Sequence, residues 1–126
     1  MPELPEVETM RRGLLPIVGS TIAMVEYPEI PYRPIVVYPS RESLATRVAK
    51  QKITAVDRVA KRVLVRLTSG DSIVMQPKMA GIAMLSDPPS EEHVRVVFHL
   101  GRATERQTSP TQFLYWDRRG LGTVCL

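Results

Sequence analysis

At 126 residues, with 44% hydrophobic and 24% charged side chains, the chain has the size and balance of one globular domain, which excludes a disordered or fibrous protein. The net charge of +4 favours an anionic partner, though a basic surface can also be merely solvated. A lone cysteine, Cys125, excludes a disulfide framework or a cysteine-rich zinc site within one chain; with no signal-peptide pattern and no apolar run of spanning length, a cytoplasmic location is expected.

Residues 3–18 read as a helix. Pro2 and Pro5 suit a helix start, where missing N–H groups cost little. Glu3, Glu6 and Glu8 sit at the positive end of its dipole, with Arg11 and Arg12 after them. Val7, Met10, Leu14 and Ile17 recur at helical spacing as the inward stripe, and Pro16 should end or kink the helix before Gly19. Residues 20–28 form a strand candidate, followed by a proline-rich passage through Pro39. Residues 40–50 read as a second, short helix capped by Ser40, with Leu44 and Val48 inward. Hairpin-forming strands follow in "KITAVDRV", "RVLVRLT" and "SIVMQ", then "HVRVVFHL" (93–100), "QFLYW" (112–116) and "GTVCL" (122–126). A flexible connection is expected at 102–110. The fold class is therefore α+β, mainly β: an antiparallel β-sandwich flanked by an N-terminal helix and a second short helix. The chain stops inside an apolar strand pattern with no polar tail, as a cut portion of a longer protein would.

Four features could carry chemistry. After removal of Met1, Pro2 would be either an ordinary helix-starting proline or a secondary-amine nucleophile able to form an iminium with an aldehyde-like carbon. A free α-amine titrates at about 7.7–8.0, so roughly a tenth is unprotonated at neutral pH. Glu3 and Glu6 share a helix face close enough to Pro2 to move protons, although first-turn glutamates also serve the dipole alone. In "DRVAKRVLVRL", a single strand would leave Lys61 the only charge on an apolar face, whereas a turn there would reset the alternation. Met79, in the Pro/Gly-flanked "QPKMAG", is core filler or an exposed apolar wedge. Arg118 and Arg119, in "WDRRGLG", contact phosphates or bases, or are simply solvated.

Taken together, "PELPEVET", "RVAKRVLVRL", "PKMAG" and "WDRRGLG", in this order, resemble the bacterial formamidopyrimidine-DNA glycosylases, base-excision enzymes for oxidised purines such as 8-oxoguanine and formamidopyrimidines. The resemblance covers the chain from end to end, but only the front portion of a family member. The family's helix–two-turn–helix and its structural zinc finger have no counterpart here, so this chain is expected to use no cofactor or metal of its own. The resemblance implies a glycosylase/AP lyase acting on damaged double-stranded DNA, with no membrane and no obligate protein partner. It assigns Pro2 as the nucleophile at C1′, Glu3 as the acid/base, Glu6 as a proton shuttle and Lys61 as a lysine that assists chemistry and contacts DNA. Strand cleavage would follow by β- and δ-elimination. Met79 matches the wedge that fills the gap left by a flipped nucleotide, Arg119 faces the orphaned base, and His93 matches a histidine of the family's K-H-D-H-V stretch.

The departures fall on the DNA-facing motifs. Leu121 stands where the family's D-P-R-R-F-G motif has a phenylalanine wedge. Gln76 and Lys78 replace a histidine and a glycine, and Glu91 brings a negative charge to a phosphate-contacting position. The competing readings are an endonuclease VIII-like enzyme for oxidised pyrimidines, which "ELPE" disfavours, a DNA-binding relic without turnover, and a proline-based tautomerase, which the strand-rich pattern disfavours.

Overall fold

A computed structural model describes residues 4–101 and 110–126; Pro2, Glu3 and nearly all of the expected 102–110 connection lie outside the described residues. Helix α1 runs Leu4–Leu14 and passes into a 3-10 turn, Leu15–Ile17. The α-geometry stops just before Pro16, whose missing N–H and ring cannot continue the ladder. Val7, Leu14 and Ile17 are fully buried, and Met10 is half-buried against them. The Ser40 hydroxyl accepts a hydrogen bond from the Ser43 amide (3.0 Å), capping α2, Arg41–Val48, which buries Leu44 and Val48.

Nine strands complete the described chain: β1 Thr21–Glu26, β2 Val36–Tyr38, β3 Ile53–Val59, β4 Arg62–Leu67, β5 Ser72–Gln76, β6 Gly81–Met84, β7 Val94–Gly101, β8 Gln112–Asp117 and β9 Thr123–Cys125. They form a four-stranded sheet in the order β1-β7-β8-β6 and a five-stranded sheet in the order β2-β9-β5-β4-β3. All neighbouring pairs are antiparallel except β2 with β9. One core draws on both sheets and both helices, with Phe98 stacked on Phe113 at 4.4 Å inside it. A smaller cluster of Val94, Val97, Leu114 and Trp116, joined by Ile82 and Met84, occupies the other face of the four-stranded sheet.

Two strands were not expected. β2 lies inside the proline-rich passage, where Pro34 and Pro39 flank only three paired residues and leave no alternating pattern to read. β6 follows the "QPKMAG" loop directly and pairs with β8. The hairpin of β3 and β4 also resolves the question of alternation. Val59 pairs with Arg62, leaving Ala60 and Lys61 as a two-residue turn with Ala60 in the left-handed region. Lys61 is a half-buried turn residue, so the apolar stripe Val63, Val65 and Leu67 starts after it.

Candidate functional site

Along one face of α1, Glu6, Thr9 and Met10 meet Met79, Ala80, Gly81, Ile82 and Trp116 around an open pocket of about 500 Å³. The second hollow, about 450 Å³, is lined by two adjacent segments, Arg33, Pro34 and Val36 beside Gly120, Leu121 and Thr123, together with Lys78 and Met79. Met79 lines both hollows and is 43% exposed. Of the residues singled out from sequence, the fold thus joins Glu6 to Met79 in the first hollow and Met79 to Leu121 in the second. Arg119 is exposed on the turn that carries Leu121.

Lys61 reaches its place through another route. The Glu8 carboxylate on α1 accepts from Arg11 (2.6 Å), Arg12 (3.0 Å) and, across fifty positions, Arg58 (3.2 Å). Arg58 also donates to the Ala60 carbonyl at 2.9 Å, inside the turn that holds Lys61. Hydrogen bonding from Arg11 holds the Glu8 carboxyl down to about 2 against partial desolvation, with Arg12 and Arg58 adding to the effect. Glu8 therefore ties helix α1 to the lysine-bearing turn. Its contacts with Arg11 and Arg12 are legible as i,i+3 and i,i+4 spacing, but Arg58 is not.

The "WDRRGLG" turn is organised by Asp117, which is fully buried. Its Oδ1 accepts from the Arg119 and Gly120 amides at 3.1 and 2.9 Å. Its Oδ2 accepts from the Gly122 amide and the Tyr115 hydroxyl, each at 2.8 Å. Burial, reinforced by the Asp117 charge and hydrogen bond, raises the Tyr115 phenol far above its ordinary range, so it stays a donor. Gly120 adopts φ +69, and a Cβ there would run into the Arg33 carbonyl. At Gly122 a Cβ would run into the Tyr115 hydroxyl. These contacts turn the backbone sharply, so that Arg118 and Arg119 face solvent while Leu121 is half-covered. Asp117 escaped sequence reading because its partners are backbone amides; its position before two glycines was the available signal.

His93 sits at the end of the short 3-10 turn Glu91–His93, between Tyr32, with ring centroids 4.6 Å apart, and the edge of Trp116 at 5.9 Å. Its Nδ1 is buried without a hydrogen-bond partner among the described residues, and its Nε2 lies 3.6 Å from Glu92. The ring thus backs the tryptophan that walls the first hollow. Among the described residues no group of three or more histidine, cysteine or acidic side chains is placed to hold a metal ion, and no helix is long and apolar enough to cross a membrane.

Residues 1–124 match the family described as the formamidopyrimidine-DNA glycosylase N-terminal domain. The chain belongs to the formamidopyrimidine-DNA glycosylase family. It is 38% identical to the formamidopyrimidine-DNA glycosylase of Stutzerimonas stutzeri, an alignment that covers 100% of this chain and 47% of that protein. It superimposes with a TM-score of 0.79 and 28% identity on Lactococcus lactis formamidopyrimidine-DNA glycosylase bound non-covalently to DNA containing an AP site, covering 98% of this chain and 44% of that one. The same Lactococcus lactis enzyme in complex with DNA containing FAPY-dG gives 0.78 and 28%, over 98% of this chain and 43% of that one. The chain spans less than half the length of these relatives. As a formamidopyrimidine-DNA glycosylase family member, it keeps the mainly-β fold with two helices that the sequence predicted.

Proposed function

We propose that the chain is the catalytic N-terminal domain of a base-excision-repair DNA glycosylase with AP lyase activity, acting on oxidised purines in duplex DNA. The observation that carries this reading is the convergence of Glu6 from α1 and Met79 from the β5–β6 loop on one open hollow. A carboxylate from the helix that follows Pro2 and Glu3 thereby meets the apolar side chain suited to replace an extruded base.

In the proposed reaction the Pro2 nitrogen attacks C1′ of the damaged nucleotide. The C1′–N bond breaks and the departing base takes a proton; the C1′–O4′ bond then breaks, O4′ takes the proton released by Pro2, and Pro2 remains attached to the opened sugar as an iminium. Glu3 and Glu6 are the carboxyl groups for the proton transfers. Loss of a proton from C2′ then expels the 3′ phosphate, and a second elimination expels the 5′ phosphate. Lys61 is carried on the β3–β4 turn, which Arg58 and Glu8 tether to the same helix, and supplies a cation beside the sugar-phosphate. Arg119 reads the base opposite the gap, and His93 supports the Trp116 wall.

Borohydride trapping on DNA with an abasic site tests the proposal directly. A covalent complex should form, and peptide mapping should place the bond on residue 2. Trapping that persists undiminished after acetylation of the N-terminus would remove Pro2 from the mechanism.

A further inference from the structure

Arg95 is 5% exposed, although it lies on β7 among apolar neighbours and pairs with no carboxylate within salt-bridge distance among the described residues. A guanidinium buried without an ion partner is costly, so what its nitrogens hold is informative. Nε donates to the Asp117 carbonyl at 2.9 Å, and Nη1 donates to the Arg33 carbonyl. Nη2 finds no acceptor among the described residues and lies beside Gly120, 3.3 Å from where a Cβ would stand. Burial makes Arg95 less basic than an ordinary arginine, while the Asp117 charge works in the other direction.

The two carbonyls belong to neighbouring segments that lead into the lining of the second hollow. Arg33 begins the wall that continues through Pro34 and Val36. Asp117 begins the turn whose Gly120 and Leu121 line the hollow next to that segment, and its carboxylate fixes the turn through three amides. Gly120 approaches the Arg33 carbonyl so closely that no side chain fits between them. A single guanidinium therefore ties these two adjacent segments together where Gly120 meets Arg33.

From this we infer that Arg95 is a positioning residue which, by joining these two segments, sets the shape of the Met79–Leu121 hollow and the pose of Arg119, and so governs discrimination of the base opposite the lesion. The inference rests on the proposed DNA reading for its consequence, but not for the clamp itself. Lysine at this position keeps the charge but lacks the planar fork that spans two carbonyls. Methionine spans neither, and both carbonyls lose their charged donor.

Two arms test this on the full chain. In the first, amide hydrogen exchange compares wild type, Arg95→Lys and Arg95→Met without DNA. Protection of the Gly120 and Gly122 amides should fall about tenfold in Arg95→Met and less in Arg95→Lys, with the Val65 and Met75 amides unchanged. A uniform fall, or no fall, overturns the clamp; if Arg95→Met does not fold, Arg95→Lys decides by the same criterion. In the second arm, excision is compared opposite each of the four bases. The ratio between best and worst opposite base should shrink about threefold or more in Arg95→Lys, with the salt dependence of binding unchanged because no phosphate contact is removed. An equal loss opposite every base would reduce Arg95 to a general structural role and sink the inference. Borohydride trapping of a single-stranded abasic oligonucleotide separates the two claims. If wild type fails to trap, the enzymatic reading fails and hydrogen exchange alone judges the clamp.

Discussion

Met79 and Leu121 show how little of a residue's role lies in its hydrophobicity. Both are apolar and both line the second hollow, but Leu121 is half-covered by its own turn, whereas Met79 is exposed and also borders the hollow of Glu6. An unbranched thioether on a loop between Pro77 and Gly81 can enter a base stack with little hindrance. Leucine lacks the flat ring that would stack there. Extruding a nucleotide costs a few kcal/mol, and an inserted side chain offsets part of that cost. Met79→Ala should therefore lower base excision from duplex DNA by about 1–2 kcal/mol in the activation free energy, roughly tenfold, while β-elimination on a single-stranded abasic site changes little. Rates measured on the two substrates decide the matter, and equal losses on both would count against insertion.

At the level of elements, Glu8 joins α1 to the β3–β4 turn, and its ionisation makes that junction sensitive to acid. Its carboxyl titrates near 2, against an ordinary 4.5, because Arg11, Arg12 and Arg58 stabilise the charged form. A depressed carboxyl contributes its stability above the unfolded value and loses it as pH falls towards the folded one. The contribution is thus complete above 4.5 and disappears as pH falls through about 2. Thermal unfolding at stepped pH should show wild type losing its advantage over Glu8→Gln across this window, and parallel curves would remove Glu8 from the junction. The same elements mark what the sequence could tell. Both helices were legible because Pro5, Pro16 and Ser40 punctuate them and their apolar residues repeat at helical spacing. β2 was not, because three residues between prolines have no period and are fixed only by pairing with β9, more than eighty positions away. At Lys61, alternation alone could not distinguish a strand from a turn, since only the Val59–Arg62 pairing sets the register. Glu6, Met79 and Leu121 were legible as motif residues, but the Glu8–Arg58 tie depends on a partner fifty positions away, and Arg95 and Asp117 act largely through backbone groups that no local pattern displays.

For the molecule as a whole, the two sheets bring the β5–β6 loop, the segment before β2 and the turn after β8 to one side, where Arg33 and Lys78 are exposed at the second hollow and Arg118 and Arg119 are exposed on the adjoining turn. The net charge of +4 is too small to imply strong steering on its own, so the local grouping of cations has to supply most of the attraction to a phosphate backbone. If Arg33, Lys78 and Arg118 each meet one phosphate while Arg119 faces the opposite base, log K for duplex DNA should fall with log salt at a slope of about −3. Undamaged duplex should then bind non-specifically, at roughly 10⁻⁴–10⁻⁶ M near physiological salt. Replacing Lys78 and Arg118 together by glutamine should reduce the slope by about two without altering the preference for a lesion, because phosphate contacts position the duplex and do not read it. Titrations of lesion-bearing and undamaged duplexes at several salt concentrations measure both quantities. A slope near zero, or tight lesion-selective binding that survives the double replacement, would place the DNA on another face of the molecule.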